Sequence, residues 1–280
     1  YRISHIPGAK HIGNNDFDIK SVKGIDKNKP IVLYCSIGYR SEKIGEKFRV
    51  FVDSCGKLNF YTRSKALQEK KVQECEGFIQ EIKAYKAQAV DLDREPTSNE
   101  LFHMQCLINA LKSVLNMWLY LKSENYQKSW SYLIDAQEYT SIALKVKEYE
   151  GILNFQKNLI DIENSVFPSW ALYNSPGFIE SIGKCSICSE SFMICEHIEN
   201  EIYFGSLCQR VDRRILEIEH TAVVEKPRDK RCIITKTSDD DGNMVDYFTL
   251  EKTGENKSKE EGVIGHMEGI LFTIPSLDVH

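Results

Sequence analysis

The chain is short of the features that mark several protein classes. Its 280 residues hold 7 Pro and 16 Gly, too few for a collagen-like or low-complexity chain. No run approaches the roughly 18 apolar residues that a membrane-spanning helix needs, so no membrane segment is expected. There is no excess of positive charge: 36 Lys and Arg face 41 Asp and Glu, a formal net charge of -5. That balance argues against a dedicated nucleic-acid binder. A stretch of basic, then apolar, then small residues of the secretory kind is missing from the first residues, although the chain begins at Tyr1 rather than Met, which leaves room for an upstream segment. What is present is 42% hydrophobic and 28% charged residues, the composition of a folded chain of about two domains.

Nine cysteines need an explanation. Cys185, Cys188, Cys195 and Cys208 fall close together with His197, at spacings that suit a metal rather than a disulfide framework. Reduced thiols and a cytoplasmic location are therefore expected.

Hydrophobic periodicity divides the chain. Ile31 to Tyr34 is a short β-rich run after Pro30, and Ser41 to Phe48 reads as a helix with Ser41 as its N-cap. Residues 50–61 are a seam without an assigned structure. Residues 62–168 carry apolar stripes at spacings of three and four. They run from Leu67 to Tyr85, from Leu101 to Leu121 after a capping-box sequence Thr97-Ser98-Asn99-Glu100, and from Tyr126 to Val146, with a shorter helix from Glu150 to about Asn164. Short connections make these an antiparallel helical bundle, a surface that could take a protein partner. Residues 169–280 read as a Cys/His-rich α+β or β region. Asn174 to Gly177 reads as a turn, and strands are expected over Ile202–Phe204, Ile215–Val224, Cys232–Lys236 and Tyr247–Leu250, with a hairpin tip at Asp241-Gly242. Thr253 to Gly262 reads as a polar loop, and Ile270 to Ile274 is a last apolar run. The fold class is predominantly α: an α/β fragment, a bundle, then a small Cys/His region.

Two places carry chemistry. The first is Cys35-Ser36-Ile37-Gly38-Tyr39-Arg40-Ser41, between the strand and the helix. Loop N–H groups and a helix N-terminus favour an anion there, and such a field lowers a thiol's pKa. Arg40 can hold an oxyanion through two N–H groups. With Ile3-Ser4-His5-Ile6-Pro7-Gly8-Ala9 upstream, residues 1–49 resemble a rhodanese domain. The resemblance implies a persulfide on Cys35, passed from a sulfur donor to a thiol acceptor, with Arg40 and loop residues Ser36, Ile37, Gly38, Tyr39 and Ser41 around it. The six-residue span from Cys35 to Arg40 matches the sulfurtransferases of that family, whereas the related phosphatases have a loop one residue longer.

The second place is the cluster Cys185-x2-Cys188-x6-Cys195-x-His197-x10-Cys208. A Cys-x2-Cys turn supplies two ligands to a tetrahedral zinc ion. The other two come from Cys195, His197 and Cys208, with Cys208 beside either His197 or Cys195 favoured. Gly183 and Gly205 suit tight turns, and Glu196 or Glu199 could serve as a base beside an open metal. A closed set of four would be structural. Free buried thiols, or a redox pair at Cys185 and Cys188, would give the same spacing. Three further features read as structural: His103 as a packed or surface residue, Trp118, Trp130 and Trp170 as core, and Lys226 to Arg231 as a solvated basic turn.

Overall fold

The computed structural model describes residues 37–60, 64–257, 263–273 and 277–280. The expected strand Ile31–Tyr34 and the motif Ile3–Ala9 lie outside them, as do Cys35 and Ser36. The chain divides into two compact units, Tyr1–Phe51 and Val52–His280.

Helix α1 spans Ile37–Phe60. It starts four residues before Ser41, so that residue is inside the helix rather than its N-cap, and it takes in residues 50–60 of the stretch left unassigned by sequence. Ile37, Gly38, Tyr39 and Arg40 are its first residues, where a loop was expected.

Helices α2 (Lys65–Asp91), α3 (Glu95–Leu121), α4 (Tyr126–Val146) and α5 (Glu150–Val166) follow, each packed on the next. The connections are three or four residues long, which forces antiparallel neighbours. The Ser64 hydroxyl accepts from Leu67 N–H at 3.3 Å and caps α2; the Asn125 side chain accepts from Lys128 N–H at 3.1 Å and caps α4. The expected capping box at Thr97 is not used. Helix α3 begins earlier, at Glu95, with Pro96 in its first turn, where a missing N–H costs nothing, and Ser98 bonds back to the Glu95 carbonyl instead. Every residue from Leu101 to Leu111 is buried, so α3 is the central helix, enclosed by α2 and α4. Leu67, placed on the α2 stripe by its spacing, is exposed because it lies in the first turn, beyond the packed face.

The β region grows from the same core. Trp130, Leu133 and Ile134 of α4 meet Leu159 and Ile162 of α5, then Phe167, Tyr173 and Ile233. Burying each large side chain of this set contributes about 1.5–3 kcal/mol. Trp118 packs against it, but Trp170 is half-exposed and does not join the core.

Strand β1 (Tyr173–Glu180) is followed by β2 (Lys184–Cys185), β3 (Ile202–Tyr203), β4 (Ser206–Leu207), β5 (Arg210–Val211) and β6 (Ile215–Val224). Strand β1 runs through the predicted turn at Asn174–Gly177. It pairs antiparallel with β6, Tyr173 opposite Val224 and Pro176 opposite Thr221, in a two-stranded ribbon with no interior strand for Pro176 to disrupt. At Gly177 a Cβ would come within 2.4 Å of the ring of the exposed His220, so a larger residue there would displace that side chain. Strands β7 (Ile234–Ser238), β8 (Asn243–Asp246), β9 (Lys252–Asn256) and β10 (Met267–Gly269) form one antiparallel sheet in the order β10-β7-β8-β9. Asp241-Gly242 does tip the β7–β8 hairpin, with Gly242 at φ +83°. The expected strand Tyr247–Leu250 is instead a turn, because the Asp246 carboxylate accepts from the N–H groups of Phe248 and Thr249, both at 2.9 Å. Part of the expected polar loop is β9.

The stretch Lys226–Arg231 is not simply solvated. Arg231 is buried and its guanidinium meets Asp135 and Glu138 of α4 and Asp229, at 2.6, 2.7 and 3.0 Å. Lys230 reaches Glu163 of α5 at 2.6 Å. Residues 277–280 close the other side: Asp278 N–H donates to the Tyr139 hydroxyl, the Gln105 side chain donates to the Asp278 carbonyl, and the Asp278 carboxylate pairs with Lys83. No helix among the described residues is long and apolar enough to cross a membrane.

Candidate metal centre

The Cys/His lobe is seated on the bundle by a hairpin. Strands β3 and β4 pair through Ile202 with Leu207 and Tyr203 with Ser206, and the turn between them touches α2 and α3. Gly205 N–H donates to the Asn99 side chain at 2.7 Å, and the buried Lys86 ammonium donates to the Gly205 carbonyl at 2.7 Å. Burial pulls the Lys86 pKa down to about 8. Gly205 has φ +72°, and a Cβ there would stand 2.7 Å from the Ser98 carbonyl oxygen. The turn role expected of this glycine is met, with a close approach to α3 as a second reason.

The knuckle is built on β2. Lys184 and Cys185 pair with Val211 and Arg210 of β5. Gly183, at φ +74°, leads into it, and a Cβ there would meet the Val211 carbonyl at 2.4 Å. The chain turns at once, with Ser189 N–H donating to the Cys185 carbonyl at 2.9 Å. Ile187 N–H points at the Cys185 sulfur at 3.4 Å, and His197 N–H at the Cys195 sulfur at 3.2 Å.

This folding brings four predicted ligands together. The donor atoms of Cys185, Cys188, Cys195 and His197 all lie within 4.8 Å of one another. Cys188 and Cys195 sulfurs are 3.5 Å apart, and the Cys195 sulfur is 3.3 Å from His197 Nδ1. A tetrahedral zinc ion with Zn–S of about 2.3 Å and Zn–N of about 2.0 Å has edges of about 3.8 Å between sulfurs and about 3.5 Å between sulfur and nitrogen. These two separations come within about 0.3 Å of those edges, and the 4.8 Å bound on the whole group leaves it able to hold such an ion.

Cys208, favoured as a ligand by spacing, stands differently. It is fully buried and its sulfur lies 3.8 Å from that of Cys185, but it is not in the group of four. Cys208 is held on the hairpin side by its N–H, which donates to the Glu201 carbonyl, whereas Cys195 and His197 lie together on the loop that returns to the knuckle.

The electrostatics follow from these contacts. Burial raises the Cys185 thiol, but N–H groups of Cys188 and Ile187 and the thiols of Cys195 and Cys208 outweigh it and bring the pKa to about 6. Burial and neighbouring thiols push Cys195 up to about 11 and Cys208 up to about 12. A cation bound there would take its sulfur ligands as thiolates and release their protons. Glu199 is tied to Arg210 at 3.1 Å, so it is not a free base beside the cluster. Tyr203 stacks edge-on to the His197 ring at 4.6 Å and accepts from Ile198 N–H, contacts that spacing did not signal.

Of the N-terminal site, Arg40 and residues Ile37, Gly38, Tyr39 and Ser41 are in α1, and Cys35 and Ser36 lie outside the described residues.

Comparison with known proteins bears on that first site. Residues 1–85 match the family model of the rhodanese-like domain, consistent with the partial rhodanese-like segment expected from the motifs. The match passes the point where the motif resemblance ends and takes in all of α1 and most of α2. No curated protein matches the chain, and no solved structure matches it.

Proposed function

We propose that residues 169–280 hold a structural zinc ion on Cys185, Cys188, Cys195 and His197, in a chain whose N-terminal segment carries sulfur on Cys35. The zinc part is carried by one observation, the convergence of three thiols and an imidazole within 4.8 Å. Four protein ligands close the coordination sphere, which suits a structural ion rather than a catalytic one. The ion would brace a lobe whose strands β2 to β5 are two residues each. All eight cysteines among the described residues are free thiols, which supports a reducing, cytoplasmic setting. The experiment is metal analysis of protein purified without chelators, beside a Cys185→Ser/Cys188→Ser protein. One zinc per chain, lost in the double variant along with resistance to unfolding, is expected. Metal-free protein that is folded and no less stable than the zinc-loaded form would overturn the assignment.

The sulfur part rests on the family match over residues 1–85. The Cys35 thiolate attacks the outer sulfur of a donor such as thiosulfate; an S–S bond forms, the donor's S–S bond breaks, and sulfite leaves with the electron pair. A thiolate acceptor or cyanide then takes that sulfur and Cys35 leaves as thiolate. Arg40 would offset the negative charge. Intact-protein mass and thiocyanate release, with Cys35→Ser as control, test this. A gain of one sulfur that needs Cys35 is expected; none from folded protein would leave a non-catalytic zinc-binding module with a bundle available to a protein partner.

A further inference from the structure

Cys208 stands outside the four converging donors, yet it is fully buried beside one of them. Its sulfur lies 3.8 Å from that of Cys185, which is also fully buried. The Cys188 and Cys195 sulfurs lie 3.5 Å apart and nearer to solvent, Cys188 exposed and Cys195 half-buried. The four thiols thus form an inner pair and an outer pair. A disulfide has its sulfurs about 2.05 Å apart, so each pair closes by a shift of less than about 2 Å. Cys188 and Cys195 lie between β2 and β3, outside any strand. Cys185 is in β2, paired with Arg210, and Cys208 precedes that partner by two residues. Bonds between Ser186 and Gln209, from Ser186 N–H to the Gln209 carbonyl and from Gln209 N–H to the Ser186 hydroxyl, keep the inner pair together. The Cys185 thiol also faces that of Cys195. A bond there would take Cys195 from Cys188, the thiol that an oxidant in solution reaches first.

We propose that the lobe is a thiol switch that exchanges its metal for two disulfides, Cys188–Cys195 and Cys185–Cys208, when it meets a peroxide. The proposal rests on the zinc reading, since the outer disulfide removes two of the four ligands. The Cys188 thiolate attacks one oxygen of hydrogen peroxide; an S–O bond forms, the O–O bond breaks, and hydroxide leaves with the electron pair. The Cys195 thiolate attacks the sulfenic sulfur; an S–S bond forms, the S–O bond breaks, and a second hydroxide leaves. Two thiolates lose two electrons and one peroxide is reduced to two hydroxide ions. Cys185 and His197 alone do not complete a tetrahedral site, so the ion departs. The freed Cys185 thiolate repeats the first step with a second peroxide, and the Cys208 thiol closes the inner bond with loss of water. Three ligand thiols cannot all pair among themselves. Cys208 gives the third its partner and spares it oxidation to the sulfinic acid, which thiols do not reverse.

The test titrates hydrogen peroxide into the zinc-loaded full chain, reads released zinc with a chromophoric chelator, and maps bonds by non-reducing digestion and mass spectrometry. Zinc should be lost completely and in step with the Cys188–Cys195 bond. The inner bond follows, for a total loss of four hydrogens from residues 185–208, and dithiothreitol with added zinc restores the metal. Cys208→Ser protein should release zinc in the same way but lose only two hydrogens as disulfide, and after excess peroxide its recovery of zinc on reduction should be lost. Zinc-loaded protein that keeps its metal after Cys188 is oxidised, or loses it with other pairings or with sulfinic acid at Cys188, overturns the switch and leaves the zinc reading standing. Protein that carries no zinc when purified without chelators, yet closes the same two bonds, supports the pairings and overturns the zinc reading.

Discussion

Replacing Arg231 with Met tests the junction between the bundle and the β region. The Arg231 side chain is only 5% exposed and makes hydrogen bonds to three carboxylates. Met keeps most of the stem volume, so the change isolates the charge. Removing one member of a buried ion cluster leaves the others uncompensated, at about 3–5 kcal/mol. Glu138 is partly solvated and Asp135 and Asp229 less so, which places the expected loss near the lower end, about 3 kcal/mol. In a chain of this size that lowers the melting temperature by on the order of 10 °C. The pH dependence has a definite sign. Burial holds Asp135 above the ordinary carboxylate range even though Arg231 pulls it down. Without Arg231 its pKa rises further. A carboxylate whose folded pKa is raised binds its proton more tightly in the native state, so stability falls as pH rises from the unfolded pKa towards the folded one. The variant's deficit should therefore be largest at neutral pH and shrink on acidification, and Asp135→Asn should recover part of it. Urea denaturation at several pH values measures both. A loss under about 1 kcal/mol at neutral pH would refute the reasoning, as would a deficit that grows on acidification.

Trp130→Phe should destabilise by about 2 kcal/mol, because it opens space in the core and orphans the Lys230 carbonyl that the indole N–H reaches at 2.7 Å; denaturant unfolding followed by circular dichroism checks it. His103 is buried, and its Nδ1 lies 2.9 Å from the Ala143 carbonyl, so Nδ1 carries the proton of a neutral ring. Burial lowers its pKa from 6.5, so the stability it supports is present above that pH and is lost as pH falls through the lowered folded value. His103→Gln should flatten the fall in melting temperature below about pH 6.5, read by a thermal scan across that range.

Much of this architecture was legible where one interaction dominates. The stripe from Tyr126 to Val146 is α4, residue for residue, and the run from Ile215 to Val224 is β6. Both are read from a repeated pattern that no single neighbour can overturn. Misreadings fall where a local signal met a distant partner. Pro176-Gly177 is turn chemistry, but β6 lies alongside and the segment becomes a strand. Arg231 looks like part of a solvated turn, since two of its three carboxylates come from a helix more than ninety residues away. Thr97 to Glu100 is capping chemistry placed one turn too late, because Pro96 already starts the helix. At the Cys/His group, residue type and spacing pointed to side chains that the fold brings together. They could not rank Cys208 against His197, because that choice depends on how the hairpin and the loop approach the knuckle. At Cys35 motif and family match agree, while Ile37 to Arg40 proved helical.

The strap made by residues 277–280 gives the chain a particular order of assembly. Helices α2 to α4 are neighbours in sequence and can meet early. Yet Lys83, Gln105 and Tyr139 find Asp278 only across 195, 173 and 139 residues. Contacts at that separation form late. During synthesis the helices leave the ribosome well before their last polar contacts exist, and for that interval the bundle is a nascent intermediate, open to chaperones and to other chains along its unfinished edge.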